Sequence, residues 1–270
     1  MKISISNIAW DVDKDEKIVE LLHEKEISHI DIAPTKYFAA PFLDTKKTVQ
    51  SVRDWWNERG IEIYGMQALF FGQVGLNMFS GPEIQREMTG YLRKIFSIAE
   101  GLGVRRLVFG SPKNRDIGNM DHHAALATGV EYFRQLGDVA AAYGIVICLE
   151  PNPRAYNCNF MTNMASTYEV IDMVNHPAIK GQLDLGSLIM NGESLSESLE
   201  LYSDSIYHIH VSEPFLKKIS DNRADHTSNS MLLKKYLPEL VVAIEMAAAE
   251  PELQYSNCES SISIVKKYYG

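Results

Sequence analysis

Three cysteines among 270 residues is a low count, and Cys148, Cys158 and Cys258 are odd in number and lack CxxC spacing. That excludes a disulfide framework and a thiolate zinc site as the organising element, and leaves reduced thiols. Positive charge is also in deficit. With 26 Lys+Arg against 35 Asp+Glu the net charge is −9, which opposes a broad duplex-binding surface, because phosphate neutralisation supplies most nonspecific affinity for DNA. Nucleic acid is therefore not an expected partner. No uninterrupted apolar run reaches the roughly 18 residues a membrane span needs. The first residues, MKISISNIAW, carry one Lys and an apolar run broken by Ser and Asn, so they do not read as a secretory signal. The expectation is a soluble cytoplasmic protein. Low-complexity linkers, charge blocks and short internal repeats are missing too, so a boundary within 1–270 would be arbitrary. One domain is expected.

What is present is alternation. Strand-like runs fall at Ile3 to Ile8, His29 to Ala33, Ile61 to Leu69, Arg105 to Gly110, Ile145 to Glu150, Ile179 to Leu185, Ile206 to Val211 and Leu240 to Met246. Between them lie amphipathic stretches with apolar residues at three-and-four spacing, among them Lys14 to Lys25, Thr45 to Arg59, Pro82 to Leu102 and His122 to Tyr143. Strands separated by helices imply parallel pairing. Gly60, Gly103 and Gly144 fall just past helical patterns, where C-terminal caps sit. Ser256 and Glu259 form an S-x-x-E capping box leading into a closing helix over Ile262 to Tyr269. Eight strand–helix units in a chain of this length predict an α/β fold, a single (β/α)8 TIM barrel.

Four residues then stand out. Glu150, Asp184, His210 and Glu245 each end a short apolar run, in the contexts IVICLEP, GQLDLG, YHIHVSE and VVAIEM. Successive members lie 34, 26 and 35 positions apart (150 to 184, 184 to 210, 210 to 245). That is about one strand-plus-helix unit each, so consecutive strands would deliver all four to the C-terminal rim of a barrel. Each follows residues that should be buried, where an unpaired charge is costly. Three carboxylates and one imidazole meeting there make a site for one divalent ion, with Mn, Mg, Co or Zn compatible with oxygen ligands and a single imidazole.

The phrases GSPKNR at 110–115, LEPNP at 149–153, QLDLG at 182–186, HIHVSEP at 208–214 and AIEM at 243–246 resemble the xylose isomerase-like barrel superfamily, in its order and over nearly the whole chain. The nearest likeness is to its sugar isomerase and 3-epimerase branch, which includes D-tagatose and D-psicose 3-epimerases. The resemblance implies that Glu150, Asp184, His210 and Glu245 bind the ion. It also implies that Glu150 and Glu245 form an acid/base pair on opposite sides of a sugar, passing a proton through an enediolate. Relatives of this kind form homodimers or homotetramers. The sequence departs from that branch at its substrate contacts: the position three beyond Asp184 is Ser187 rather than His, and the branch's Glu shortly after the strand-five ligand and Arg after the strand-seven ligand have no clear match.

Substrate-binding candidates follow from position. Lys113 and Arg115 in the loop after the fourth strand suit a sugar phosphate or sugar hydroxyls. Trp10 and Phe71 follow the first and third strands, where the resemblance implies aromatics that cover an apolar sugar face, while Phe70 reads as core. Tyr156 and Ser187 lie near the ligands. His208, two before His210, points to the same side of its strand and deeper, as an interior or supporting histidine. Asp225 and His226 form a D-H pair ranked below the ligands, and Glu213 supports His210 or caps the next segment. Alternatives are a sugar or inosose dehydratase of the same fold, an apurinic endonuclease, and a noncatalytic sugar-binding barrel. The endonuclease reading requires histidines after strands two to four, where only His29 occurs, at a strand start.

Overall fold

A computed structural model describes residues 1–39 and 46–270. Its eight strands are β1 (Ile3–Ser6), β2 (His29–Ile32), β3 (Glu62–Met66), β4 (Arg106–Phe109), β5 (Val146–Leu149), β6 (Ile179–Asp184), β7 (Ile206–Ser212) and β8 (Val242–Glu245). Each pairs in parallel with its neighbours, and β8 returns to β1 to close the barrel. The expected (β/α)8 architecture is what forms. The runs are legible because strands of such a barrel are covered on both faces and so are apolar nearly throughout; β2, β7 and β8 have every residue but one buried.

Helices connect the strands. They are α1 (Asp15–Glu24), α2 (Lys46–Asn57), α3 (Pro82–Leu102), α4 (His122–Ala141), α5 (Met164–Val174), α6 (Leu185–Asn191), α7 (Leu195–Tyr202), α8 (His226–Tyr236) and α9 (Gln254–Tyr269). The expected start of α2 at Thr45 lies outside the described residues. Proline opens α3, where its missing N–H is no loss, and Gly103 ends it at φ +80, a left-handed position that glycine takes without strain. Asp121 caps α4 by accepting the amides of His123 and Ala124. The helices lay Leu22, Trp56, Phe96, Phe133 and Tyr168 against the sheet, all buried. Burying such a side chain contributes about 1.5–3 kcal/mol each.

The closing helix corrects one expectation. It starts at Gln254, not after a capping box at Ser256, whose hydroxyl instead donates to the Leu253 carbonyl from inside the first turn. Gln254 is fixed by a contact distant in sequence: its Oε1 accepts the Asp11 amide at 2.9 Å and its Nε2 donates to Asp11 Oδ2 at 2.9 Å. The α9 end reaches the chain start, where the Met1 ammonium donates to the Tyr269 carbonyl at 2.7 Å. Among the described residues no helix is long and apolar enough to cross a membrane.

Candidate metal centre

The barrel delivers the four strand-end residues to one point. Glu150 directly follows β5, Asp184 ends β6, His210 lies near the end of β7 and Glu245 ends β8. One donor atom from each lies within 4.8 Å of all the others, and all four residues are buried. His210 Nδ1 faces the three carboxylates at 3.4 Å from Glu150 Oε1, 3.7 Å from Asp184 Oδ2 and 3.2 Å from Glu245 Oε2. Atoms sharing an ion at about 2.0–2.2 Å lie roughly 3–4 Å from one another, so the donor set fits. Neither His210 nitrogen has a well-directed hydrogen-bond partner although the ring is fully buried. A buried imidazole left in that state requires something else to satisfy it, and a bound ion does so.

The electrostatics agree. Burial, then the charges of Glu245 and Glu150, push the Asp184 carboxyl from 3.8 up to about 7. Burial works against a charged His210, but Glu245 and Glu150 together outweigh it and hold the imidazole well above its ordinary value. Crowded carboxylates of this kind are what a cation relieves.

Supporting residues hold each ligand. Gln182 Nε2 donates to Glu150 Oε1 at 3.1 Å, and Asn152 Nδ2 to Glu150 Oε2 at 2.9 Å. Gln67 Nε2 donates to Glu245 Oε1 at 2.8 Å. Asp184 also caps α6, accepting the Ser187 amide at 2.5 Å, and takes the Ser212 hydroxyl at 2.8 Å. Amide and hydroxyl donors of this sort orient ligands and favour their ionised form. None of Gln67, Asn152, Gln182 or Ser212 is singled out by sequence reasoning. Gln182 and Ser212 carry one usable signal: each lies two positions from a ligand and so shares its face of the strand. Gly110 matters for a different reason. A Cβ there would stand 1.9 Å from Glu150 Oε2, so the residue after β4 must be glycine for the carboxylate to lie where it does.

Beneath the quartet lies a second polar layer. Ser4 Oγ donates to Asp31 Oδ1 at 2.6 Å, and Asp31 Oδ2 lies 2.8 Å from His208 Nε2, with both side chains fully buried. Burial opposes the Asp31 charge, but His208 and Ser4 outweigh it and lower the carboxyl below its usual value. The His208 ring packs edge-to-face on His210 at 5.1 Å. His208 is thus the interior, supporting histidine its spacing predicts.

The centre floors a cleft of about 1100 Å³. Of the candidate substrate contacts, Lys113, Phe71, Tyr156 and Ser187 line it, and so does Phe70, which is otherwise buried against Tyr91 and Phe109. Tyr156 has a further role, since its hydroxyl accepts the Phe215 amide at 2.8 Å. Two expected contacts are placed elsewhere. Arg115 is fully buried and absent from the cleft lining, because the 3-10 turn over Pro112–Arg115 turns residues two apart to different sides and exposes Lys113 instead. Trp10 is fully buried too, its indole N–H donating to Asp15 Oδ1 at 2.7 Å. An indole donor out of reach of water needs such an acceptor, and that draws the ring into the core.

The remaining polar candidates are structural. Asp225 caps α8 through the Ser228 amide, and His226 is held between the Tyr269 hydroxyl and the Ser220 carbonyl. Glu213 accepts the Ser220 amide and hydroxyl, which makes it the anchor of the segment after β7. His29 lies at the start of β2, 3.8 Å from Glu62 and at the opposite end of the barrel from the quartet.

Residues 17–229 match the family of xylose isomerase-like TIM barrels. The chain belongs to that family. No curated protein sequence matches it. Among solved structures this xylose isomerase-like barrel is similar to D-psicose 3-epimerase from Clostridium cellulolyticum H10, crystallised with D-tagatose. The TM-score is 0.82 at 16% identity, covering 100% of this chain and 99% of that one. It is similar also to the 3-keto-D-glucoside 4-epimerase of E. coli, with TM-score 0.77, 17% identity and 99% of each chain covered. An AP endonuclease of family 2 from Brucella melitensis gives TM-score 0.77 at 17% identity, again over 99% of each chain. At these identities the likeness establishes the shared barrel.

Proposed function

We propose that this barrel is a divalent-metal-dependent sugar or sugar phosphate epimerase or isomerase, in which Glu150 and Glu245 are both metal ligands and the acid/base pair. The observation that carries the reading is the buried Glu150–Asp184–His210–Glu245 cluster at the floor of the cleft. The sugar epimerases among its structural neighbours point to the same substrate class. A divalent ion held by the four would act as a Lewis acid on adjacent substrate oxygens, stabilising the charge of an enediolate. The protein's own groups do the rest. Glu150 and Glu245 come from β5 and β8, separated by two strands, and so flank a bound sugar from different sides. One of the two, ionised, removes the proton beside the carbonyl, and the other, protonated, delivers its own proton to the opposite face. Gln182 and Asn152 on Glu150, and Gln67 on Glu245, keep the carboxylates aimed without neutralising them. Asp184, with partners on both oxygens, is fixed as a ligand.

Incubation with ketoses, ketose phosphates and ring-keto glycosides in deuterated water tests this. Solvent deuterium should enter at the carbon beside the carbonyl, and Glu150→Gln and Glu245→Gln should each abolish net conversion while one face still exchanges. Metal content is measured alongside. Absence of exchange across the set with metal bound refutes the two-base reading, and a dehydrated product identifies a dehydratase instead.

A further inference from the structure

The two ends of the cleft differ in chemistry. Its floor carries the carboxylates, but among the described residues its mouth carries two apolar lips on opposite sides of the barrel. After β3, Phe71 and Val74 are 73% and 92% exposed. After β7, Phe215 is 59% exposed and Leu216 follows it. All four line the same cleft as Glu150 and Glu245. In an eight-stranded barrel β3 and β7 are four strands apart, so the lips face each other across the mouth.

Isolated exposed apolar side chains need no explanation. At the β7 lip they have one, because the backbone there is built to hold them in place. Phe215 and Leu216 adopt left-handed backbone at φ 60 and φ 51, a conformation that is costly for bulky residues and that clusters at functional sites. It is fastened by the Tyr156 hydroxyl on the Phe215 amide and by the Leu216 carbonyl accepting the Ala247 amide at 2.9 Å. Tyr156 also meets the Phe215 ring edge-on at 5.7 Å. Cations are few at this mouth. Lys36 is half-buried and donates to the Trp10 carbonyl, which leaves Lys113 as the exposed cation of the lining among the described residues.

The cleft exceeds the roughly 300–1,000 Å³ typical of small-molecule sites, and a lone monosaccharide at the acid quartet is too small and too polar to fill both lips. We infer that the substrate is a glycoside: a sugar ring bearing the carbonyl lies at the quartet, and an uncharged substituent with a flat apolar face packs against the apolar lips that carry Phe71 and Phe215. This rests on the epimerase reading. It also fixes where the carbonyl is, since a glycosidic bond locks the anomeric carbon and the carbonyl must be a ring ketone.

Deuterium incorporation into the methyl and 4-nitrophenyl glycosides of a ring-keto glucose, followed by NMR, gives kcat/KM for each. The wild type should prefer the aryl glycoside by about two- to tenfold, the scale of one good aromatic contact. Phe71→Ala and Phe215→Gly should each bring the ratio toward one. Phe215→Gly suits the left-handed backbone, so the fold is kept. Calorimetric titration with ordinary 4-nitrophenyl and methyl glucosides reads the lips without turnover. If that titration shows aryl preference while no substrate exchanges, the lips stand and the epimerase chemistry fails. Equal use of both glycosides, a preference that survives both substitutions, or a solution dimer that buries Phe71 and Phe215 would overturn the inference.

Discussion

Removing the divalent ion should make the stability of this barrel depend on pH, with a sign set by the quartet. In the metal-free protein, burial and the neighbouring Glu245 and Glu150 raise the Asp184 carboxyl from 3.8 to about 7. A carboxyl raised in the folded state keeps its proton at pH values where the unfolded chain has lost it, so folding stability falls between about pH 4 and pH 7. A rise of that size corresponds to on the order of 4 kcal/mol, against roughly 5–15 kcal/mol for a whole domain. His210 acts in the same direction. Its folded-state value lies well above 6.5, so the stabilisation from its charged ring is complete below 6.5 and is lost as pH climbs through the folded value. Metal binding requires the deprotonated ligands and therefore gains as the free protein weakens. Urea unfolding from pH 5 to 8, with chelator and with added Mn, measures both. The chelated protein should lose stability steadily, the metal-loaded protein should hold it, and Asp184→Asn should flatten most of the chelated slope. Chelated stability that stays level or rises from pH 5 to 7.5 refutes the reasoning, as does a midpoint unchanged by Mn at pH 7.5.

Other perturbations reach the site from its surroundings. Gly110→Ala places a methyl 2.9 Å from the Glu150 carboxyl carbon. Metal affinity by calorimetry should fall at least about tenfold, the scale of a disturbed ligand shell, with circular dichroism unchanged; an unaltered affinity would remove Glu150 from the ligand set. Asp31→Asn strips the charge opposite His208 in a fully buried pair and should cost about 3–5 kcal/mol in denaturant unfolding. A loss under about 1 kcal/mol would show the pair to be dispensable. Arg115→Met replaces a buried guanidinium whose three nitrogens have no hydrogen-bond partner among the described residues. Stability should stay the same or rise, with KM unaltered, and a raised KM would return Arg115 to substrate binding.

The strands and the convergence of Glu150, Asp184, His210 and Glu245 were legible for the same reason. A buried parallel strand is an apolar run, and a ligand that ends it is a charge where none is otherwise tolerated, as IVICLE and VVAIE display. What the sequence hides is whatever depends on partners far along the chain. Gln67 reads as an ordinary polar residue until the barrel brings it to Glu245, 178 positions away. The start of α9 is set by Asp11, 243 positions from Gln254, which overrides the local S-x-x-E signal at Ser256. Lys113 and Arg115 look interchangeable in GSPKNR, but a 3-10 turn sends one to the cleft and buries the other. Trp10 is a rim aromatic by position alone; the Asp15 acceptor draws it into the core.

This distribution separates chemistry from selection. All four residues of the proposed metal site come from β5 to β8, on strands whose neighbours fix them in register, as where Asp184 pairs with His210 and Ser212 with Glu245. The other half of the barrel gives few reacting groups and many constraints: Gln67 on Glu245, Gly110 beneath Glu150, Asp31 against His208. Phe71 and Phe215 sit beyond the strand ends on loops, where changes leave the strand hydrogen bonds intact. Substitutions in the lips should therefore alter which sugar is accepted while metal affinity holds, whereas substitutions of Gln67 or Gln182 should alter metal affinity for every substrate alike. A lip variant that loses metal, or a Gln182 variant that changes only substrate preference, would show that the two halves are not independent.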